Sequence, residues 1–184
     1  MEIFETKIPE VKIIKPRVFG DERGFFMETW NERDFSGVGI KSAFVQDNHS
    51  RSVQNTLRGL HYQLPPYAQG KLVRVIRGEV FDVAVDIRRG SPTFGGWVGR
   101  VLSEENRLQM WLPPGFAHGF YVISETADFQ YKCTEFYTPS HERCIRWDDE
   151  VLAINWGIQR EQKPIVSKKD TQGTSLNDAD LFEA

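Results

Sequence analysis

The chain has 184 residues, 40% hydrophobic and 27% charged, enough for one domain with a sizeable core and too short for two comfortable ones. A formal charge of -3, with no Lys/Arg run, argues against long-range attraction to nucleic acid or an anionic membrane, so an anionic ligand must be held by local cations. Two cysteines, Cys133 and Cys144, make no disulfide framework, and no apolar run approaches the roughly 20 residues needed to span a bilayer.

Met1-Glu2 leads into polar, strand-like sequence rather than a signal-like apolar segment, which sets the expectation of a soluble cytoplasmic protein with reduced thiols. A turn or two of helix is expected at Asn31 to Phe35, capped by Asn31. Next, "RGLHYQLPPYAQGKLVRVIRGEVFDVAVDIR" carries His61 between strand-like runs. Leu72 to Ile76 and Val80 to Ile87 are the clearest strands, with a hairpin turn expected at Arg77-Gly78-Glu79. In the second strand Phe81, Val83, Val85 and Ile87 share one face, and Asp82, Ala84 and Asp86 the other.

Further strands are expected at Gly96 to Leu102, Leu108 to Leu112, Gly119 to Ile123, Asp128 to Phe136 and Ile145 to Trp147, with a helical turn near Asn177 to Phe182. Turn signals fall at Arg89-Gly90-Ser91-Pro92, Ser103 to Asn106 and Pro113-Pro114-Gly115. Many short strands, little helical periodicity and no linker predict an all-β chain, 1-184, folded as a cupin-type double-stranded β-helix, or jelly roll.

The four histidines are His49, His61, His118 and His141. The position two after His61 is Gln63, so the His-x-His pair that closes on a metal is missing, as are HExxH and CxxC. His61 and His118 meeting a carboxylate in space is the one metal arrangement left open. There is no GxxxxGK[ST] and no GxSxG, and Gly37-Val38-Gly39 is too short for a dinucleotide loop. The expectation is no metal and no cofactor.

Acid-base chemistry remains. Imidazole titrates near cellular pH, and the positive fields of Arg58 and Lys71 would hold His61 unprotonated and ready to accept a proton. The competing reading, which spacing alone does not overturn, is a hydrogen-bonded interior histidine; the same two readings apply to His118. Strand parity groups Phe129, Tyr131 and Cys133 on one face, where Tyr131 is either core or a general acid. Arg23, Arg58, Lys71 and Lys169 are either solvated charges or a diphosphate clamp.

The segments "FGDERGFFMETW", "FVQDNHSRS", "LRGLHYQ", "QGKLVRVIRGEVFDVAVDIRRGSPTFG", "WLPPGFAHGF", "FQYKCTEFYTP" and "SKKD", spread from Phe19 to Asp170, closely resemble the dTDP-4-dehydrorhamnose 3,5-epimerase family. That resemblance implies a metal-free cupin jelly roll, a homodimer in which the partner contributes an N-terminal strand, and no nucleic-acid or membrane partner. The implied substrate is a dTDP-linked 4-keto-6-deoxy sugar, inverted at C3 and C5 through enolates in dTDP-rhamnose and polysaccharide biosynthesis. The resemblance makes His61 the base, Asp170 the carboxylate orienting it with Asp82 as rival, Tyr131 the general acid and Lys71 the enolate-stabilising charge.

It also implies that His118 contacts the sugar ketone or diphosphate, and that Tyr137 stacks on thymine. Arg23, Glu28, Gln46, Asp47, Asn48, Arg58, Glu142 and Lys169 take nucleotide-binding positions. The Leu64-Pro65-Pro66-Tyr67 loop departs from the pattern. A mono-epimerase or ketoisomerase on a related sugar nucleotide, or a non-catalytic cupin-like sugar-binding module, are the alternatives.

Overall fold

A computed structural model describes residues 1–159 and 161–183. In chain order its elements are β1 (Glu2–Phe4), β2 (Lys12–Lys15), β3 (Val18–Asp21), β4 (Gly24–Met27), the helix α1 (Glu32–Gly37), β5 (Gln46–Val53) and β6 (Leu57–Gln63). There follow β7 (Lys71–Arg77), β8 (Glu79–Asp86), β9 (Trp97–Ser103), β10 (Gln109–Leu112), β11 (Phe116–Val122), β12 (Thr126–Cys133) and β13 (Glu142–Cys144). Short 3-10 turns lie at Pro139–His141 and Asp170–Gln172.

The strands form a six-stranded sheet, in order β1-β2-β10-β7-β12-β5, and a five-stranded sheet, in order β13-β6-β11-β8-β9, with β3 and β4 as a separate hairpin. All the pairings within these sheets are antiparallel. This is the jelly roll expected from the sequence.

The alternation in β8 places its side chains as read. Val80 and Ala84 point inward, into a cluster shared by both sheets with Val73, Val75, Phe116, Phe120 and Phe129. Val83, Val85 and Ile87 point outward, where the tail covers them with Leu152, Trp156, Leu176 and Leu181. A third cluster on the outside of the six-stranded sheet joins Ile14, Leu72 and Trp111 to Phe35 and Ile40 near α1. Each fully buried side chain of this size, such as Phe129, contributes about 1.5–3 kcal/mol. Both sheets are therefore anchored on two faces, and the polar residues on their inner faces are held in fixed positions.

The structure corrects several sequence expectations. Arg77-Gly78-Glu79 is no hairpin turn: β7 and β8 lie in different sheets, and Gly78 is the corner between them. Its φ of +79° and the absence of room for a Cβ, which would meet the Thr126 carbonyl oxygen at 2.1 Å, require glycine there. The expected Asp128 to Phe136 strand begins at Thr126 and stops at Cys133, because Thr134 pairs with Gly70 and the Glu135 carbonyl accepts from the Gln69 side chain. Strand β13 lies three residues before the expected Ile145 to Trp147. The stretch at Asn177 to Phe182 is not helical: Phe182 bridges to Arg88, and the Asp180 carbonyl accepts from the Tyr62 hydroxyl. Pairing with the sheet satisfies that backbone without a helix. The helix at Asn31 is present, its N-cap side chain accepting from the Asp34 N–H at 2.8 Å.

The sequence expectations set no bounds for strands β1 to β6. In β5, "QDNHSRSV", the inward residues Gln46, Asn48, Ser50 and Ser52 are all polar, so hydrophobic alternation is absent.

Candidate functional site

Two neighbouring strands build the site from a close approach of their backbones. Gly59 on β6 has φ +123°, and a Cβ there would lie 2.5 Å from the Gly119 Cα of β11; the β6–β11 register shifts between His118 and Phe120. Two residues on, His61 is the direct partner of His118. On β6, Leu60 and Tyr62 point into the outer cluster, while His61 and Gln63 point to the inner face.

His61 Nε2 lies 2.5 Å from Asp170 Oδ1. Asp170 is 2% exposed, and its other oxygen accepts from the Ser167 hydroxyl at 2.8 Å, while Ser167 Oγ accepts from the Asp170 N–H. Burial alone would raise the Asp170 pKa, but the bonds from His61 and Ser167 outweigh it and hold the carboxyl below its ordinary value. An ionised carboxylate can only accept, so in the neutral imidazole the proton would reside on Nε2 and the lone pair on Nδ1.

His118 forms a second pair, its Nε2 2.8 Å from Asp82 Oδ2, with the imidazole stacked on Phe129 at 5.9 Å. Asp82, the rival partner for His61, is thus bonded to His118 instead. Residue parity explains this: Asp82 faces the interior from β8, and the β11 strand lies between β8 and β6. The two histidines do not share a carboxylate. Burial lowers the His118 pKa, Asp82 opposes that, and the charges of Lys71 and His61 add to it.

The inner faces of β5, β6, β7, β12 and β13 line a cleft of about 270 Å³ with Gln46, Asn48, His61, Gln63, Lys71, Tyr131, Tyr137 and Glu142 among its walls. The Lys71 Nζ is buried and 3.4 Å from the His61 carbonyl. Burial lowers its pKa, opposed by Cys133, Glu142 and Asp82. Burial chiefly raises the Tyr131 phenol, with Cys133 and Glu142 adding and Arg58 opposing, so the phenol keeps its proton at neutral pH. At the mouth, Tyr137 donates to Glu142 at 2.6 Å and Lys169 pairs with the same carboxylate. The bond to Glu142 is the main reason the Tyr137 phenol is pushed up to about 12. Arg58 is exposed and donates to Ser52 at 3.1 Å.

Of the expected binding residues, Arg58 and Lys169 stand beside the cleft without lining it, and Arg23, Glu28 and Asp47 lie away from it. Arg23 sits on the β3–β4 hairpin, paired with its own Asp21; Glu28 is bonded to Asn31; and Asp47, on the outer face of β5, pairs with Lys132 at 3.0 Å. His118 lies behind His61 rather than on the wall.

Three cleft-lining residues went unrecognised, of which Tyr62 turns its side chain to the outer cluster. Gln69 fixes the Glu135 carbonyl. Gln63 donates to the carbonyls of Tyr67 and Phe136 and accepts from the Thr138 N–H at 2.7 Å, and so holds the segment carrying Tyr137. Its spacing of two from His61 was the available signal. Ser167 was legible in "SKKD", since a serine three before an aspartate bonds it locally.

Known proteins match this chain throughout. A family model described as dTDP-4-dehydrorhamnose 3,5-epimerase matches residues 5–178. The chain is 58% identical over 183 residues to dTDP-4-dehydrorhamnose 3,5-epimerase of Pseudomonas aeruginosa, covering 99% of both chains, and 57% identical over 183 residues to that of Shigella flexneri, again covering 99% of both. Among solved structures it is similar to dTDP-6-deoxy-D-glucose-3,5-epimerase from Legionella pneumophila Philadelphia 1 in complex with dTDP-4-keto-L-rhamnose. That likeness has a TM-score of 0.95 at 52% identity and covers 100% of this chain and 98% of that one.

Proposed function

The chain belongs to the dTDP-4-dehydrorhamnose 3,5-epimerase family, and from that premise we propose how its cleft inverts a dTDP-linked 4-keto-6-deoxy sugar. The activity is that of a sugar-nucleotide isomerase of dTDP-rhamnose biosynthesis. The observation that carries the mechanism is the His61–Asp170 pair on the wall of the cleft that Tyr131 and Lys71 also line.

His61 Nδ1 takes the proton from the carbon beside the C4 ketone. The C–H electron pair moves into the ring and the carbonyl π pair onto O4, giving an enolate. Asp170, already hydrogen-bonded to Nε2, stabilises the imidazolium that results. Lys71 faces the charge developing on O4, which is worth most in a buried site. Tyr131 returns a proton to the opposite face. C3 and C5 both flank the ketone, so one base and one acid serve both carbons in turn, once His61 has released its proton to water and the Tyr131 phenolate has taken one up.

His118, held by Asp82, supports His61 from behind and does not itself reach the sugar. Gln46, Asn48, Arg58, Glu142 and Lys169 bind the nucleotide end, with Tyr137 available to stack on thymine. Arg23, Glu28 and Asp47 lie outside the cleft of their own chain, and the β3–β4 hairpin leaves Phe25 and Phe26 exposed. A homodimer, in which the hairpin of each subunit completes the partner's clamp, accounts for both facts. The chain acts as one domain, in the cytoplasm, without metal or cofactor, nucleic acid or membrane; no helix among the described residues is long and apolar enough to cross a bilayer.

The test is incubation with dTDP-4-dehydro-6-deoxy-glucose in deuterated water, followed by NMR. Deuterium is expected at both C3 and C5, and its incorporation is lost in His61→Ala. Label at a single carbon would reduce the enzyme to a mono-epimerase, and label at neither would overturn the enolate route.

A further inference from the structure

We propose that His61, Cys144 and Asp170 form an inhibitory site for a thiophilic divalent cation such as Zn2+, whose occupancy switches off the base. The proposal rests on the assignment of His61 as that base.

Cys144 on β13 is the direct cross-strand partner of His61 on β6, so the two side chains emerge on one face of the sheet. Asp170 closes the triangle: its Oδ1 is 2.5 Å from His61 Nε2 and 3.9 Å from Cys144 Sγ. One donor atom from each residue lies within 4.8 Å of the others. Zinc binds nitrogen and oxygen at about 2.0–2.2 Å and thiolate sulfur at about 2.3 Å. Tetrahedral donors at those lengths stand roughly 3.3–3.8 Å apart, so the triangle needs adjustments of about 1 Å to close on an ion. Three protein donors leave a fourth position for water.

Cys144 has no part in the epimerisation. Among the described residues its thiol makes only long contacts, to the Ile145 carbonyl at 3.5 Å and to Asp170. Burial first, and then the neighbouring carboxylate of Asp170, push the thiol up to about 12, so the free protein carries Cys144 as S–H. Coordination replaces that S–H bond by an S–Zn bond and releases one proton to water. At the same time the metal takes the Nε2 lone pair, and the ring proton held there for Asp170 moves to Nδ1. The imidazole stays neutral but loses the lone pair that accepts the substrate proton. No redox step is involved.

The ion sits on the Asp170 side of the imidazole, away from the nitrogen that meets substrate, so inhibition falls on kcat and leaves KM unchanged. Magnesium, a hard ion that prefers oxygen, does not substitute.

The experiment titrates the full-length protein with Zn2+, read by competition with a chromophoric chelator and, in parallel, by epimerisation rate. Wild type is expected to bind one equivalent per chain, to lose at least tenfold in kcat, and to recover on adding excess chelator. Cys144→Ala and Cys144→Ser are expected to keep the zinc-free rate and to lose at least tenfold in both zinc affinity and inhibition; serine covers the case in which alanine fails to fold. Wild type without a bound equivalent, or a folded variant inhibited like wild type, overturns the proposal. Absence of deuterium exchange before zinc is added would instead remove His61 as the base, while chelator competition would still decide the metal site.

Discussion

Asp170 reaches His61 from 109 residues away, placing its Oδ1 2.5 Å from Nε2 and so leaving Nδ1 as the ring nitrogen that does not face the carboxylate. The carboxylate is itself fixed by Ser167, so the tautomer is set before substrate arrives. In Asp170→Asn the amide can donate instead of accept, which favours the wrong tautomer. A fall in kcat of about 10²–10⁴ is expected with the fold retained. Steady-state rates with circular dichroism check this, and a variant within threefold of wild type would contradict the orienting role.

Tyr131 stands on β12, opposite Asn48 of β5 and Val73 of β7, rather than on the strand of His61. The proposed base and the proposed acid therefore stand on different sheets. Tyr131→Phe is expected to keep solvent exchange, because His61 still removes and returns the proton, while net inversion falls by about 10²-fold or more. NMR of the product reads both quantities at once. Parallel loss of exchange and inversion would mean that the two residues do not have separate roles.

The buried His118 makes stability depend on pH. Its pKa in the folded chain lies below the ordinary 6.5, chiefly because of burial. As pH falls, the unfolded chain takes up this proton first, so the stabilisation is complete above about 6.5 and declines below it, by at most about 1.4 kcal/mol per pH unit. Asp170, also held below its ordinary value, adds a further loss only under more acid conditions, below about 4. Melting curves at pH 7.5, 6.0 and 5.0 should show falling midpoints for wild type and a shallower fall for His118→Gln. A wild-type midpoint that is flat or rises between 7.5 and 5.0 would refute this.

Gly59→Ala meets two penalties: a positive φ that side chains rarely adopt, and a Cβ 2.5 Å from Gly119 Cα and 2.6 Å from the His118 carbonyl oxygen. A loss above about 2 kcal/mol follows, which for a chain of this size lowers the melting midpoint by at least about 4 °C. Calorimetry checks it, and a midpoint unchanged within 1 °C would show that the strands can part without cost.

Sequence periodicity was sufficient for the chain's all-β character, because alternation along a strand is a local property. In β8 it sorted Val83, Val85 and Ile87 from Asp82, Ala84 and Asp86 with no knowledge of the partner strands. The same local character made β5 unreadable, since its inward face is polar where it borders the cleft, and made the Gly78 corner look like a hairpin, since a turn does not reveal which sheet follows it. His61, Lys71 and Tyr131, which line one cleft, were singled out by the motifs around them, not by spacing.

Pairing was decided by the tertiary structure alone. Asp170 had Asp82 as a rival along the chain, and the strand order separated them by placing β11, with His118, between β8 and β6. Cys144 gave no sign in the sequence, yet the β6–β13 register sets it opposite His61. Alternation within one strand fixes the face a side chain takes; only the register between strands, set by packing across the two sheets, fixes what it meets there.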